Sequence, residues 1–174
     1  MDLEVLRSLI RDVPDFPEPG IVFKDITPVL ADPAALRGLI EATVAPFADA
    51  GITKVAGIEA RGFILASPAA TRLEAGFVPL RKPGKLPWTV VREEYSLEYG
   101  TDALEVHKDA VTADDRVLVV DDVIATGGTA RAAVRLLEKL GADVVGVSVF
   151  VELAFLAGKD QLDGVPLHAL VVYD

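Results

Sequence analysis

Two adjacent acidic residues and a turn rich in glycine and threonine follow one another in the segment Val117–Ala130. The carboxylates of Asp121 and Asp122 can accept hydrogen bonds from sugar hydroxyls. The turn lies at the predicted start of a helix, where backbone N–H groups and the helix dipole stabilise an anion, and its glycines let the backbone approach that anion closely. The residues of this predicted phosphate cradle are Ala125, Thr126, Gly127, Gly128 and Thr129. A phosphate and a vicinal diol held side by side indicate a ribose 5-phosphate as the ligand.

Basic side chains are predicted at the same edge of the molecule. Arg61 follows a predicted strand over residues 54–58, while Arg81 and Lys82 come at the end of the next strand along the chain. Because the carboxyl ends of parallel strands form one ligand-binding edge, these side chains and the acid pair are expected to face one crevice. Arg81 and Lys82 form a basic cluster with Lys85. Clustered positive charge on a chain with a net charge of −10 indicates an anionic ligand.

Two other phosphate-binding motifs are excluded by the residues of the turn. A P-loop requires a lysine and then a serine or threonine directly after its glycines, whereas Gly128 is followed by Thr129 and Ala130. The dinucleotide fingerprint requires the spacing G-x-G-x-x-G, which does not occur here. Readings as a nucleotide kinase or a dehydrogenase are therefore disfavoured.

Composition limits the class of protein. The chain has 174 residues, 51% of them hydrophobic, enough for one sizeable core. It has no uninterrupted apolar stretch of about 20 residues, so no membrane span is expected. Seventeen basic residues against 27 acidic ones argue against a nucleic-acid partner. The absence of cysteine excludes disulfides and thiolate metal sites and fits an intracellular, cytoplasmic protein.

Continuous apolar strands alternate with helices along the chain, a pattern typical of an α/β domain whose parallel sheet is covered on both faces. Predicted strands cover 54–58, 77–81, 117–120, 144–151 and 167–172, and predicted helices cover 3–10, 33–50, 63–74 and 130–140. Asp32 is the expected cap of the second helix and Pro33 its first residue. The stretch 16–30, interrupted by prolines, is predicted to be irregular. Residues 82–100 are predicted to form a loop or hairpin with a return strand over 101–107.

The segment VLVVDDVIATGGTA resembles the phosphoribosyl-pyrophosphate (PRPP) motif of the type I phosphoribosyltransferases, and the resemblance extends from Pro19 to Gly158. It implies that family's fold, a single domain over 1–174 with a small hood near 1–35 and a flexible catalytic loop near 82–100. It also implies that the cradle, the acid pair and the basic cluster bind PRPP, with Arg61 also acting in catalysis. Mg²⁺ would be carried mainly by PRPP itself. A cis peptide in the Glu59–Arg61 turn is a further implication.

Two more segments narrow the resemblance to the adenine phosphoribosyltransferases of that family. SLEYG resembles their catalytic loop, which implies Glu98 as the acid–base group for the purine and Tyr99 as a residue that closes with the loop. PGIVFKDITPVL resembles their base-binding segment, although by residue type alone Phe23 is a core candidate. The adenine-binding residues implied are Val22, Phe23, Lys24 and Leu153. Relatives that act on 6-oxopurines typically carry an aspartate where this chain has Ala125, which counts against hypoxanthine and guanine.

The expected activity is the conversion of adenine and PRPP, with Mg²⁺, into AMP and pyrophosphate, a purine-salvage reaction carried out by a homodimer. One alternative is a phosphoribosyltransferase for another base, such as xanthine or a pyrimidine. A second alternative is a regulator that binds PRPP without catalysis. Such regulators generally carry a nucleic-acid-binding module, which neither the length nor the acidic balance supports.

Overall fold

The computed structural model describes residues 2–97 and 100–174, and it divides into two compact units, Met1–Ala42 and Thr43–Asp174. Its helices are α1 (Leu3–Ser8), α2 (Thr27–Ala31), α3 (Pro33–Val44), α4 (Gly62–Arg72) and α5 (Gly128–Lys139). Its strands are β1 (Arg11–Pro14), β2 (Val22–Asp25), β3 (Lys54–Ile58), β4 (Gly76–Leu80), β5 (Val90–Leu97), β6 (Gly100–His107), β7 (Arg116–Ile124), β8 (Asp143–Leu153) and β9 (Leu167–Tyr173). Short 3₁₀ helices cover Ala45–Phe47, Ala154–Leu156 and Gly158–Leu162.

The first unit contains an antiparallel pair, β1 and β2, between its short helices. The segment predicted to be irregular therefore contains a strand and helix α2. The predicted cap of α3 is confirmed, since the Asp32 carboxylate accepts hydrogen bonds from the backbone N–H groups of Ala34 at 2.9 Å and Ala35 at 2.7 Å. The prediction that α3 runs to residue 50 is wrong. The helix ends at Val44 because Pro46 has no N–H to continue the hydrogen-bond ladder.

A five-stranded parallel sheet with the order β4–β3–β7–β8–β9 forms the centre of the second unit. Residues Val117–Val120 of β7 are fully buried, as expected for a central strand covered on both faces. Helix α4 packs on β3, β4 and β7, and α5 packs on β7 and β8. The predicted α/β architecture, a parallel sheet flanked by helices, is confirmed.

The chain between β4 and β7 forms an antiparallel hairpin, β5–β6, that packs against α5. The prediction of a hairpin excursion with a return strand is thus confirmed. Strand β7 extends four residues further than predicted, to Ile124, so Asp121 and Asp122 lie within the strand rather than after it. Pairing with β8 through Ile124 and Glu152 sustains this extension. Within the described residues, no helix combines the length and apolar character needed to cross a bilayer.

Candidate functional site

A cavity of about 260 Å³ lies at the carboxyl ends of β3 and β7. Its wall brings together the turn after β3, Lys82 after β4, and the predicted motif that runs from the end of β7 into α5. The residues that line it are Ile58, Glu59, Ala60, Arg61, Lys82, Asp121, Asp122, Val123, Ile124, Ala125, Thr126, Gly127, Gly128, Thr129 and Ala130. All of the predicted phosphate cradle and both predicted acids therefore face one space.

The phosphate cradle has the geometry that an anion site at a helix start requires. Gly127 caps α5 with a left-handed backbone at φ +83°, a conformation that favours glycine. The first turn of α5 then begins at Gly128 and contains the half-buried Thr129. Because the first N–H groups of a helix lack partners within the helix, this turn presents several donors, and the Thr129 hydroxyl adds another.

Gly158, which was not predicted as a site residue, contacts the backbone of the cradle from another part of the chain. A Cβ on Gly158 would lie 2.2 Å from the carbonyl oxygen of Ala125, and a Cβ on Gly127 would lie 2.2 Å from the carbonyl oxygen of Gly158. The two backbones therefore touch where neither residue can carry a side chain. The contact joins positions about thirty residues apart in the sequence, and its only local signal is the glycine itself.

Replacing Gly158 by alanine is expected to push the 125–127 loop out of place. Overpacking of this kind costs about 1–3 kcal/mol of unfolding free energy, which corresponds to a melting temperature lower by roughly 2–4 °C per kcal/mol. We also expect PRPP affinity to fall by about tenfold, because the displaced loop carries the predicted 5-phosphate contacts. Thermal denaturation and calorimetric titration with PRPP measure the two effects.

Gly164→Ala serves as a control, because no atom lies within 4 Å of a Cβ added there; unlike Gly158, Gly164 has a left-handed backbone at φ +94°, so the substitution strains the chain without a clash. This variant reports backbone strain without the steric contact and should keep its PRPP affinity. Equal PRPP affinities of Gly158→Ala and the wild type would contradict the role of the contact.

The acid pair is buried beside one guanidinium group. Arg61 Nε lies 2.8 Å from Asp122 Oδ2, and the Asp121 carboxylate accepts a hydrogen bond from the backbone N–H of Asp122 at 2.9 Å. Burial, reinforced by repulsion from Asp122, raises the pKa of Asp121 well above its ordinary value. Burial also raises the pKa of Asp122, against the opposing effect of Arg61.

Close approach of α4 to β7 holds this pair in place. A Cβ on Gly62 would lie 2.8 Å from Asp121 Oδ1 and 2.9 Å from the Val120 carbonyl oxygen. The first residue of α4 must therefore be glycine for the helix to reach the end of the strand. The peptide bond between Glu59 and Ala60 is cis, as the family resemblance implied.

Glu59 fixes the basic segment that follows β4, a role that the sequence did not reveal. Its carboxylate accepts a hydrogen bond from the Lys82 backbone N–H at 2.9 Å and two from the Arg81 guanidinium, both at 3.3 Å. Burial acts to raise the pKa of Glu59, but the Lys82 and Arg81 hydrogen bonds outweigh it and lower the pKa. The ends of β3 and β4 are therefore tied together beside the cavity.

The three members of the predicted basic cluster differ in whether they line the cavity. Lys82 lines the cavity, whereas Arg81 and Lys85 are not among its lining residues. The Arg81 guanidinium instead pairs with Glu59 and donates to the Lys85 carbonyl oxygen at 3.3 Å. Arg81 thus organises the turn, and Lys82 is the member of the cluster that lines the cavity.

The residues that the resemblance assigns to adenine fall in both units. In the first unit, Val22 is exposed, Lys24 pairs with Asp12 at 2.7 Å, and the Phe23 ring packs edge-to-face on Phe16 with centroids 5.2 Å apart. In the second unit, Leu153 ends β8 and is half-buried. Glu98 and Tyr99 fall outside the described residues.

The donor chemistry of the cavity suits a magnesium ion that arrives with its ligand. Carboxylate and hydroxyl oxygens, the donors that Mg²⁺ prefers, are present in Asp121, Asp122 and Thr129. Across residues 2–97 and 100–174, no group of three or more His, Cys, Asp or Glu side chains forms a metal-binding cluster. Asp121 and Asp122 are carboxylates of the cavity that could supply oxygen ligands to such an ion.

Comparison with known proteins identifies the family. Residues 26–163 match the model of the phosphoribosyl transferase domain. The chain is 58% identical, over 98% of its length and 97% of the relative's, to an adenine phosphoribosyltransferase of Anaeromyxobacter sp. (strain Fw109-5). The crystal structure of adenine phosphoribosyltransferase from Rhodothermus marinus superposes with a TM-score of 0.94 at 56% identity, covering 98% of each chain. That of the Saccharomyces cerevisiae enzyme, complexed with an imino-altritol bisphosphate and adenine, gives 0.92 at 38% identity over 97% of each chain.

Proposed function

Since this chain belongs to the phosphoribosyltransferase family, we infer that it is an adenine phosphoribosyltransferase, which converts adenine and PRPP into AMP and pyrophosphate. A ring nitrogen of adenine forms a bond to the anomeric carbon of PRPP as the bond from that carbon to pyrophosphate breaks, and the base gives up a proton. The observation that best supports the inference is the single cavity in which the acid pair and the phosphate cradle stand side by side. The cradle fits the 5-phosphate, and the acids fit the ribose hydroxyls.

The leaving pyrophosphate is the group whose charge grows most during the reaction, because the transition state has oxocarbenium character and the bond to oxygen breaks early. Arg61 and Lys82, on the cavity wall, are the groups we assign to it, and Arg81 and Lys85 support them from the same segment. Fixed positive charge aimed at the leaving oxygens stabilises the transition state more than the ground state.

Bound with PRPP, Mg²⁺ would neutralise pyrophosphate oxygens as a Lewis acid. The side chains of this chain that would contribute oxygen donors nearby are Asp121 and Asp122. Their raised pKa values and the ion pair with Arg61 favour hydrogen bonding to ribose hydroxyls, and the ion would take most of its ligands from PRPP and water.

Adenine recognition and proton transfer are assigned by resemblance to the family. We propose that Phe23 stacks on the purine while Val22 and Lys24 contact its edge. Leu153 is proposed as a further apolar contact. Glu98 takes the proton that the purine loses, and Tyr99 closes with Glu98 over the reactants to exclude water.

The homodimer and the cytoplasmic location are proposals from the family. Two large apolar side chains of the second unit, Ile64 on α4 and Phe77 on β4, are 45% and 39% exposed and give a second copy an apolar surface to cover. Light scattering on the purified protein measures the mass in solution directly.

The phosphate cradle is tested by Thr129→Val, which keeps the shape of the side chain and removes its hydroxyl. A hydrogen bond to a charged group contributes on the order of 1.5–3 kcal/mol, so the KM for PRPP should rise by roughly tenfold or more. The KM for adenine should stay unchanged. Steady-state kinetics with each substrate varied in turn separate the two constants.

Thr71→Val is the matched control, because Thr71 is an exposed threonine on α4 whose hydroxyl donates to the Ser67 carbonyl oxygen of its own helix. The control should behave as wild type. If Thr129→Val also kept the wild-type KM for PRPP while remaining folded by circular dichroism, Thr129 would not belong to the phosphate site.

A further inference from the structure

The ammonium group of Lys82 is held by two side chains of the β5–β6 hairpin. Lys82 Nζ donates a hydrogen bond to the Tyr95 hydroxyl at 2.7 Å and forms a close ion pair with the Asp102 carboxylate. The same ammonium lies 5.3 Å from the centroid of the Tyr95 ring. Tyr95 and Asp102 are cross-strand partners in the hairpin, and the Tyr95 hydroxyl lies 3.2 Å from the Asp102 carboxylate. Three groups from two strands and one turn therefore form a single cluster.

This cluster stands at the border of the cavity. Lys82 lines the cavity, but Tyr95 and Asp102 are not among its lining residues. A lysine ammonium has three N–H donors, and the hairpin accepts two of them. Within the part of the chain that the structure describes, the third donor has no partner, and its direction is set by the two bonds already made. Ordering the four-carbon side chain of a lysine costs conformational entropy. The two bonds to the hairpin already order the Lys82 side chain, so this cost does not fall on ligand binding.

The pKa shifts of Lys82 and Asp102 also favour the ion pair between them. Partial burial would lower the pKa of Lys82, but the bonds to Asp102 and Tyr95 outweigh it and raise the pKa. Burial acts to raise the pKa of Asp102, but the hydrogen bonds from Lys82, the Ala103 backbone N–H and Tyr95, together with the Lys82 charge, outweigh it and lower the pKa. Lys82 therefore stays a cation even though it is partly withdrawn from water.

We propose that Asp102, acting with Tyr95, is a positioning residue for PRPP, which holds the Lys82 ammonium at the cavity wall in the orientation that pyrophosphate needs. The proposal rests on the assignment of the cavity to PRPP. The cluster also connects the β5–β6 hairpin, whose strands are joined in the sequence by residues 98 and 99, to a residue that lines the cavity.

A competing role for Asp102 predicts that Asp102→Asn changes PRPP affinity in the opposite direction. If the carboxylate acted as a stand-in anion that pyrophosphate must displace, removing its charge would tighten PRPP binding. Two observations favour positioning. Asp102 does not line the cavity, and, among residues 2–97 and 100–174, nothing but Tyr95 and Asp102 accepts from the Lys82 ammonium while the ion pair is intact.

The test is the Kd for PRPP with Mg²⁺, measured by calorimetry for the wild type and for Asp102→Asn. We expect Asp102→Asn to raise that Kd by about tenfold, as for a lost hydrogen bond to a charged group. The KM for adenine should stay within about twofold of wild type, a split that general destabilisation of the fold would not produce. Tyr95→Phe should raise the Kd by about threefold, because it removes one uncharged acceptor.

Glu94→Gln is the matched control, since Glu94 is an exposed acid on the same hairpin that pairs with Arg92 at 3.1 Å. Glu94→Gln removes one negative charge, as Asp102→Asn does, and should leave the Kd for PRPP unchanged. In a Lys82→Met background, Asp102→Asn should have no further effect, because the two residues act through one contact.

Unchanged or tighter PRPP binding by folded Asp102→Asn, or an undiminished effect in the Lys82→Met background, would overturn the proposal. If Asp102→Asn does not fold, wild-type affinity in Tyr95→Phe would overturn it instead. A wild-type protein that binds no PRPP would overturn both this inference and the function assigned to the cavity, whereas normal wild-type binding with an inert Asp102 would overturn the inference alone.

Discussion

Replacing Glu98 by glutamine is expected to lower kcat by about 10²- to 10⁴-fold, or roughly 3–5 kcal/mol of barrier. Glutamine keeps the shape and hydrogen-bonding capacity of the side chain but cannot take a proton. If Glu98 receives the proton that adenine loses, the chemical step should fail while substrates still bind. The Kd for PRPP should change little, because the acid pair and the cradle that we propose bind it lie at the end of β7 and in the loop that leads into α5.

Rapid-quench measurement of a single turnover is the appropriate assay, because slow product release can hide a change in chemistry. Glu93→Gln is a suitable control, since Glu93 is an acid of the same hairpin that pairs with Lys139 on α5. A near-normal single-turnover rate in Glu98→Gln would contradict the acid–base role. A comparable loss in Glu93→Gln would instead indicate that the hairpin is sensitive to any lost carboxylate.

The second large effect concerns the choice of base. Adenine should be converted with a kcat/KM at least about a hundredfold above that of hypoxanthine, a difference of roughly 2.7 kcal/mol in transition-state binding. The residue behind this expectation is Ala125, which lines the cavity. In that place a carboxylate is typical of relatives that act on 6-oxopurines. Without that carboxylate, this chain lacks a hydrogen-bond partner for the hypoxanthine ring.

Competition between the two bases in one reaction gives the ratio of kcat/KM values directly, with AMP and IMP separated by chromatography. Xanthine and a pyrimidine base, assayed in the same way, serve as further comparisons. Equal conversion of adenine and hypoxanthine would contradict the adenine assignment and leave membership of the wider family untouched.

The parts of the site that the sequence revealed are those in which neighbouring residues act together. The acid pair, the glycines of the cradle and Thr129 are contiguous, so their residue types and spacing were enough to indicate a phosphate and a diol. The alternation of apolar strands and helices likewise predicted the parallel sheet, and the edge rule for such sheets placed Arg61 and Lys82 at the cavity.

Contacts between distant positions could not be predicted in this way. Gly158 meets Ala125 through a backbone contact that only the folded chain creates. Glu59 holds Arg81 and Lys82 from 22 and 23 residues away, and nothing around it in the sequence indicates a partner. The extension of β7 to Ile124 depends on pairing with β8, so local residue preferences ended the strand too early.

The central claim is that this cavity transfers a phosphoribosyl group to adenine, and a single mass balance tests it most directly. Purified protein is incubated with Mg²⁺, PRPP and labelled adenine, and AMP and pyrophosphate are quantified over time. The two products should form in equal amounts, neither should form without PRPP, and Thr129→Val should need a higher PRPP concentration for the same rate. A protein that binds PRPP in calorimetry yet produces no AMP from adenine would contradict the account and indicate a PRPP-sensing regulator.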